Sequence, residues 1–337
     1  NTGGSTASMS MTYDAAKNLT ANGFVKTGYV FDGWNTKADG TGTNYTDKQS
    51  VKNLSSVNGT TVTLYAKWKP ITYTIRFDGN GATSGATAQM SMTYDVAKNL
   101  TANGFSKSGS HFTGWNTKAD GSGTGLYNKQ SVKNLTAVNG AVIILYAQWS
   151  TNSYTVAFVG NGNTGGNTSS MTMKFDETKA LNKNGYVKTG YSFTKWNTKS
   201  NGTGITYSNQ QFVKNLTNVN GGIFFLYAQW TPNNYVIKFK GNGATSGSTA
   251  SMNMTYDVAK NLTPNGFART GYIFNGWNRF ASGIGTSYSD KQSVKNLSST
   301  NGATVNLYAK WKPITYTIKF VGNGATDGST ASMSMTY

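Results

Sequence analysis

The stretch YTIRF, Tyr73–Phe77, places Tyr, Ile and Phe on one side and Thr and Arg on the other. That alternation is the pattern of a half-buried strand. DGNGATSG follows as a Gly-rich turn, and MSMTY, Met90–Tyr94, alternates again with Met, Met and Tyr inward. The two segments predict a hairpin with a long loop. Further on, DVAKNLTANGF has an Asp cap, a helix-compatible run and a terminating Asn-Gly, which predicts one or two helical turns. HFTGWNTK reads as a third strand that breaks into the turn ADGSG, and QSVKNL as another short helical turn. After Asn139-Gly140, AVIILYAQW is the last strand, with Val142, Ile144 or its neighbours, Ala147 and Trp149 near the core. The expected buried set is Tyr73, Ile75, Phe77, Met90, Met92, Tyr94, Phe105, Phe112, Trp115, Leu135, Leu145 and Trp149. Strands with short helical turns make the unit α+β and strand-dominated.

The same unit recurs along the chain. Trp34, Trp115, Trp196 and Trp277 are spaced 81 positions apart, as are Trp68, Trp149, Trp230 and Trp311. All ten methionines follow the period in MSM, MTM or MNM pairs. The 337 residues make four periods and a remainder that restarts the pattern: NTGGSTASMSMTY at one end, ATDGSTASMSMTY at the other. The expected organisation is residues 1–68, repeat 1 without its first strand; 73–149, repeat 2; 154–230, repeat 3; 235–311, repeat 4; and 316–337, the start of repeat 5. The four-residue linkers KPIT, STNS, TPNN and KPIT limit bending and predict an elongated, semi-rigid rod. Both ends fall inside a unit, which reads as a stretch of a longer array.

The net charge of +18 amounts to about four positive charges per period. There is no Cys, which excludes disulfides and thiolate metal sites. No apolar run is long enough to span a bilayer.

Catalysis needs a matched set of groups, and the single His, His111, occurs only in repeat 2; it reads as filler of a strand. The loop GNGATSG, Gly79–Gly85, lacks the spacing and the following Lys-Ser or Lys-Thr of a phosphate loop, and it opens a strand. The turn ADGTGTNYTD, Ala38–Asp47, has the look of a calcium loop, but Asp39 and Asp120 become Asn201 and Ser282 in the later copies. A hard-cation site needs several anionic oxygens, so a polar turn is the reading. No metal, cofactor or catalytic residue is assigned. Lysines spread along the unit, with no base-stacking motif, argue against specific nucleic-acid recognition. Tyr65, Tyr146, Tyr227 and Tyr308 should face outward or toward a neighbouring unit.

YTIRFDGNG, then GYVFDGWNTKADGTGTNY and TVTLYAKW, together resemble the Listeria–Bacteroides repeat, the internalin-type B repeat, in all four units. The chain departs from that pattern at Ser110-His111, at Lys195 and at Arg279–Ser282. The resemblance implies tandem β-grasp-like α+β domains of secreted or wall-attached bacterial surface proteins, with no catalytic activity.

On that footing the chain is expected to be an extracellular, cell-surface structural region: a stalk or spacer, or the shaft of a fibre. The alternative is an adhesin whose repeats grip glycan or an anionic polymer. Expected partners are the neighbouring repeats, further copies of the chain in a fibre, and anionic cell-wall or host polysaccharide. Surface rods of this kind sometimes carry autocatalytic Lys–Asn bonds assisted by a carboxylate. The residues that could do so here are Lys52, Asn53 and Asp14, and in repeat 2 Lys133, Asn134 and Asp95.

Overall fold

The computed structural model describes residues 1–337. Every regular element in it is a strand. The chain forms two compact units: Asn1–Ser153 with Lys174–Asp176 and Thr217–Gly222, and the remaining residues 154–173, 177–216 and 223–337.

Repeat 2, in the first unit, shows the architecture. Its strands are β1 (Thr72–Asp78), β2 (Ser84–Gly85), β3 (Met90–Thr93), β4 (Lys98–Asn99) and β5 (Phe105–Ser106). They are followed by β6 (Ser110–Asn116), β7 (Gly125–Leu126), β8 (Ser131–Val132) and β9 (Val142–Thr151). One five-stranded mixed sheet runs in the order β3-β1-β9-β6-β7. Met90 lies opposite Ile75 and Met92 opposite Tyr73 in the antiparallel β1–β3 hairpin. At the centre β1 and β9 are parallel, with Thr74–Asp78 in register with Val142–Tyr146. Two short antiparallel ladders, β2–β5 and β4–β8, complete the repeat. In the second unit, Asn234–Lys240 and Ala303–Pro313 repeat the central pair.

The expected helical turns are absent, and the α+β assignment is corrected to all-β. At DVAKNL, Asp95 sits in the left-handed region at φ 62°, whereas a helix N-cap takes the extended region and turns its side chain forward onto the first turn. Its N–H and carboxylate are both engaged by Asn134, at 2.7 Å each. The chain then extends: Lys98 and Asn99 pair with Val132 and Ser131, and the Leu100 N–H donates to the Gln130 carbonyl. The two segments read as helical are therefore each other's strand partners, and the long-range ladder satisfies the backbone groups that a helix would satisfy locally.

The core lies against one face of the sheet. Tyr73, Ile75, Phe77, Met92, Trp115, Leu145 and Ala147 are buried, with Met90, Phe105, Phe112, Leu135 and Trp149 packed on them. Leu100, Leu126 and Val132, outside the expected set, close the core from the short ladders. Two expectations on the core change. Val142 is 55% exposed, because the alternation that turns Ile143, Leu145 and Ala147 inward turns it out. Tyr94 lies outside this core and serves the joint described below. A bulge between Phe112 and Gly114 interrupts the β6–β9 register. Lys195 fills the corresponding place in repeat 3, whose bulge keeps out of the left-handed region there. The edge strand β3 is protected by a cation: Lys98 Nζ donates to the Ser91 carbonyl at 2.9 Å, as Lys260 does to Asn253.

Candidate functional site: the joint between repeats

A recurring set of contacts forms where one repeat runs into the next. Gly28, at φ +78°, is where the first repeat presents bare backbone, and a Cβ there would lie 2.2 Å from the ring of Tyr94. Only Gly fits, by conformation and by space. Ile71 sits between: its N–H donates to the Gly28 carbonyl and its carbonyl accepts from the Tyr94 N–H, both at 3.0 Å. One linker residue thus hydrogen-bonds both repeats through its backbone.

Side chains reinforce that link. The Tyr29 hydroxyl donates to Asp95 Oδ2 at 2.9 Å. The Tyr29 ring meets Tyr94 edge-on at 5.9 Å between centroids, and Lys26 Nζ lies 3.8 Å from its centre. The hydrogen bond from Asn134, then that from Tyr29, holds the Asp95 carboxyl below the usual carboxylate range, with Lys133 and Lys26 adding to it. The carboxylate in turn raises the Tyr29 phenol above its ordinary value.

The second unit repeats the device. Gly190 faces Tyr256, Asn233 bridges Gly190 and Tyr256, and Tyr191 donates to Asp257 at 2.8 Å with Lys188 over its ring. Gly271, Tyr272, Ile314 and Tyr337 repeat the backbone bridge and the ring contact, with Arg269 as the cation. Within the first unit, Gly109 faces Phe175 and Asn152 is the bridging residue. Here Ser110 stands where the donor Tyr stands elsewhere. His111 shares a 3.1 Å hydrogen bond with Asn152 Oδ1, and the Asn152 amide donates to the Asn218 carbonyl at 2.5 Å, so His111 Nδ1 is the donor. Ser192 plays the part of His111 on Asn233, at 2.6 Å.

The residues proposed for a crosslink do come together. Asp14 and Asn53 exchange hydrogen bonds of 2.6 and 2.9 Å, and Lys52 Nζ lies 3.3 Å from Asp14 Oδ1, with both charged side chains more than half exposed. Asp95 and Asn134 exchange the same pair of bonds, with Lys133 nearby as a positive charge. Both Asp14 and Asn53 are left-handed, as are Asp95 and Asn134, so each pair ties two tight turns together. Asp39 accepts from the Thr41 N–H and hydroxyl at 2.9 and 2.7 Å, and Asn201 does the same for Thr203; an acid and an amide serve this turn equally. No three metal-ligating side chains gather anywhere in the chain.

Sequence reasoning missed the joint because its partners are some 66 residues apart. The signal was available in the period: wherever Gly28 recurs, an aromatic recurs at the place of Tyr94.

The family model of the Listeria-Bacteroides repeat domain matches residues 1–67, 73–148, 154–228 and 235–310. Among curated proteins, a Gly-rich membrane protein of Evansella cellulosilytica is 29% identical over 90% of this chain, and a second membrane protein of that organism is 28% identical over 74%. The chain spans about a third of each, 33% and 34%. A solved structure, the Bacillus anthracis TIE protein, aligns over 75% of this chain and 55% of its own at 11% identity and a TM-score of 0.28. With four matched copies covering most of its length, the chain belongs to the Listeria-Bacteroides repeat domain family.

Proposed function

We propose that this chain is the spacer region of a bacterial cell-surface protein, a stalk or fibre shaft that sets a distance. The observation that carries the reading is the joint: Gly28, Ile71, Tyr94 and their counterparts dock each repeat on the next through the backbone. Membrane-protein names among the relatives support a surface location. In an array, stability is a sum of repeat and neighbour terms, so such a region grows by adding copies without redesign.

Binding measurements separate this reading from an adhesin. Chains of two and four repeats should show equally weak retention on an anionic cell-wall polymer, abolished at moderate salt. Affinity that survives moderate salt and climbs with repeat number would favour a gripping role instead.

A further inference from the structure

In each complete repeat the chain enters along one strand and leaves along its parallel neighbour. In repeat 2 it enters on β1 at Thr72 and leaves on β9 at Thr151. The two strands pair side by side over five positions, Thr74–Asp78 with Val142–Tyr146. Thr155–Val159 pair with Ile223–Tyr227 in repeat 3, and Tyr235–Lys240 with Ala303–Tyr308 in repeat 4. Only Asn152 separates the exit strand of repeat 2 from the entry strand Ser153–Val159 of repeat 3.

This topology has a mechanical meaning. Tension between the ends of a repeat pulls β1 toward its start and β9 toward its end. Because the strands are parallel neighbours, the two pulls are opposed and run along the ladder. Its slanted, evenly spaced bonds are then loaded together in shear, where a hairpin pulled from its open end would lose them singly. Residues 79–141 lie between the two strands in sequence and outside the path of the load.

Both ends of the ladder are fastened by periodic side chains. At the start of β1, Gly140 N–H donates to the Thr72 carbonyl at 2.8 Å and Asn139 Oδ1 accepts from the Thr72 N–H at 3.2 Å. Asn220-Gly221 and Asn301-Gly302 do the same for Ser153 and Asn234. At the far end, Trp149 Nε1 donates to the Gly79 carbonyl and Asn80 Nδ2 to the Ala147 carbonyl, both at 2.9 Å. Trp230 with Asn161, and Trp311 with Asn242, repeat these bonds. Ile75, Phe77 and Leu145 are buried along one face of the ladder, which keeps water from competing for its bonds on that side.

We propose that the β1–β9 pair is a force-bearing clamp, and that the array is a tension element whose repeats hold under load and yield one at a time. This rests on the spacer reading and adds to it what the spacer must withstand.

The test is single-molecule pulling of the full chain. Drawn by its ends, it should give three matched high-force events from repeats 2, 3 and 4, each releasing about 250 Å of chain. The chain has no native Cys, so handles at Lys69→Cys and Val138→Cys, two exposed positions beside the starts of β1 and β9, load repeat 2 in the opening direction. The end-to-end force should exceed the opening force by about threefold or more, because the rungs are then broken together. Trp149→Phe should lower one of the three events and leave two unchanged. Equal forces in the two directions, or rupture of the whole chain without discrete events, overturns the clamp. Neither result bears on the spacer reading, which stands or falls on polymer binding and length.

Discussion

The hydroxyl of Tyr29 donates to the carboxylate of Asp95 across a repeat boundary, 66 residues along the chain, at 2.9 Å. Asp95 is also the partner of Asn134 inside its own repeat. A single carboxylate therefore closes a tight turn and receives the neighbouring repeat, an arrangement expected to couple the folding of one repeat to the docking of its neighbour. Tyr191 and Asp257, with Asn296, form the same relay in the second unit.

That coupling can be measured. Tyr29→Phe and Asp95→Asn should be non-additive in urea unfolding of the chain, because the two side chains share one bond. Strict additivity would mean that the Tyr29–Asp95 bond contributes nothing measurable to stability.

Acid should weaken the same relay. The folded-state pKa values of Asp95 and Asp257 are depressed. The stability they contribute is therefore present above the ordinary Asp value of about 3.9 and lost as pH falls through the lower folded value. Tyr29 and Tyr191 are shifted upward, so their contribution is present below about 10 and lost as pH rises through the folded value. Thermal unfolding between acid and neutral pH should lose part of its acid-side slope in the double variant Asp95→Asn, Asp257→Asn.

Gly28→Ala should disrupt one joint and leave every core intact. The left-handed backbone costs about 1–2 kcal/mol for a residue with a Cβ, and the methyl would run into the Tyr94 ring. Hydrogen exchange should speed at the Ile71 and Tyr94 amides while Ile75 and Leu145 stay protected. Uniform loss of protection would show that joint and core unfold as one.

The two tryptophans of a repeat should respond differently to Phe. Trp115 is buried with its indole N–H unpaired, whereas Trp149 donates to Gly79. Trp115→Phe removes volume together with an unpaired buried N–H, while Trp149→Phe removes volume and a hydrogen bond worth about 0.5–1.5 kcal/mol. Trp115→Ala, which empties the centre of the core, should cost about 3–5 kcal/mol. Denaturant unfolding of the variants gives all three values.

Much of the fold was legible in the residues themselves. YTIRF and MSMTY alternate because each has one face on the core, and the 81-residue recurrence of Trp and Met marks the repeats. The expected helices failed for a physical reason: an Asp before a helix-compatible run reads as a cap, but Asp95 finds its partner 39 residues away in Asn134. No local pattern reports that choice. The joint was hidden in the same way, and Tyr94 was read as core because its alternation is correct and its cover comes from another repeat. Comparison of the copies shows what a single copy hides: Ser110 replaces the donor Tyr at the boundary where Phe175 replaces the acceptor's Tyr neighbour.

If docked joints make the chain a spacer, its length is set by copy number. The most direct measurement is the maximum dimension in solution of chains with two, three and four repeats, by small-angle X-ray scattering. A spacer should lengthen by a constant increment of roughly 30–40 Å for each added repeat, the size of one such domain. A dimension that stops growing as repeats are added would mean that the repeats fold back on one another, and would contradict it.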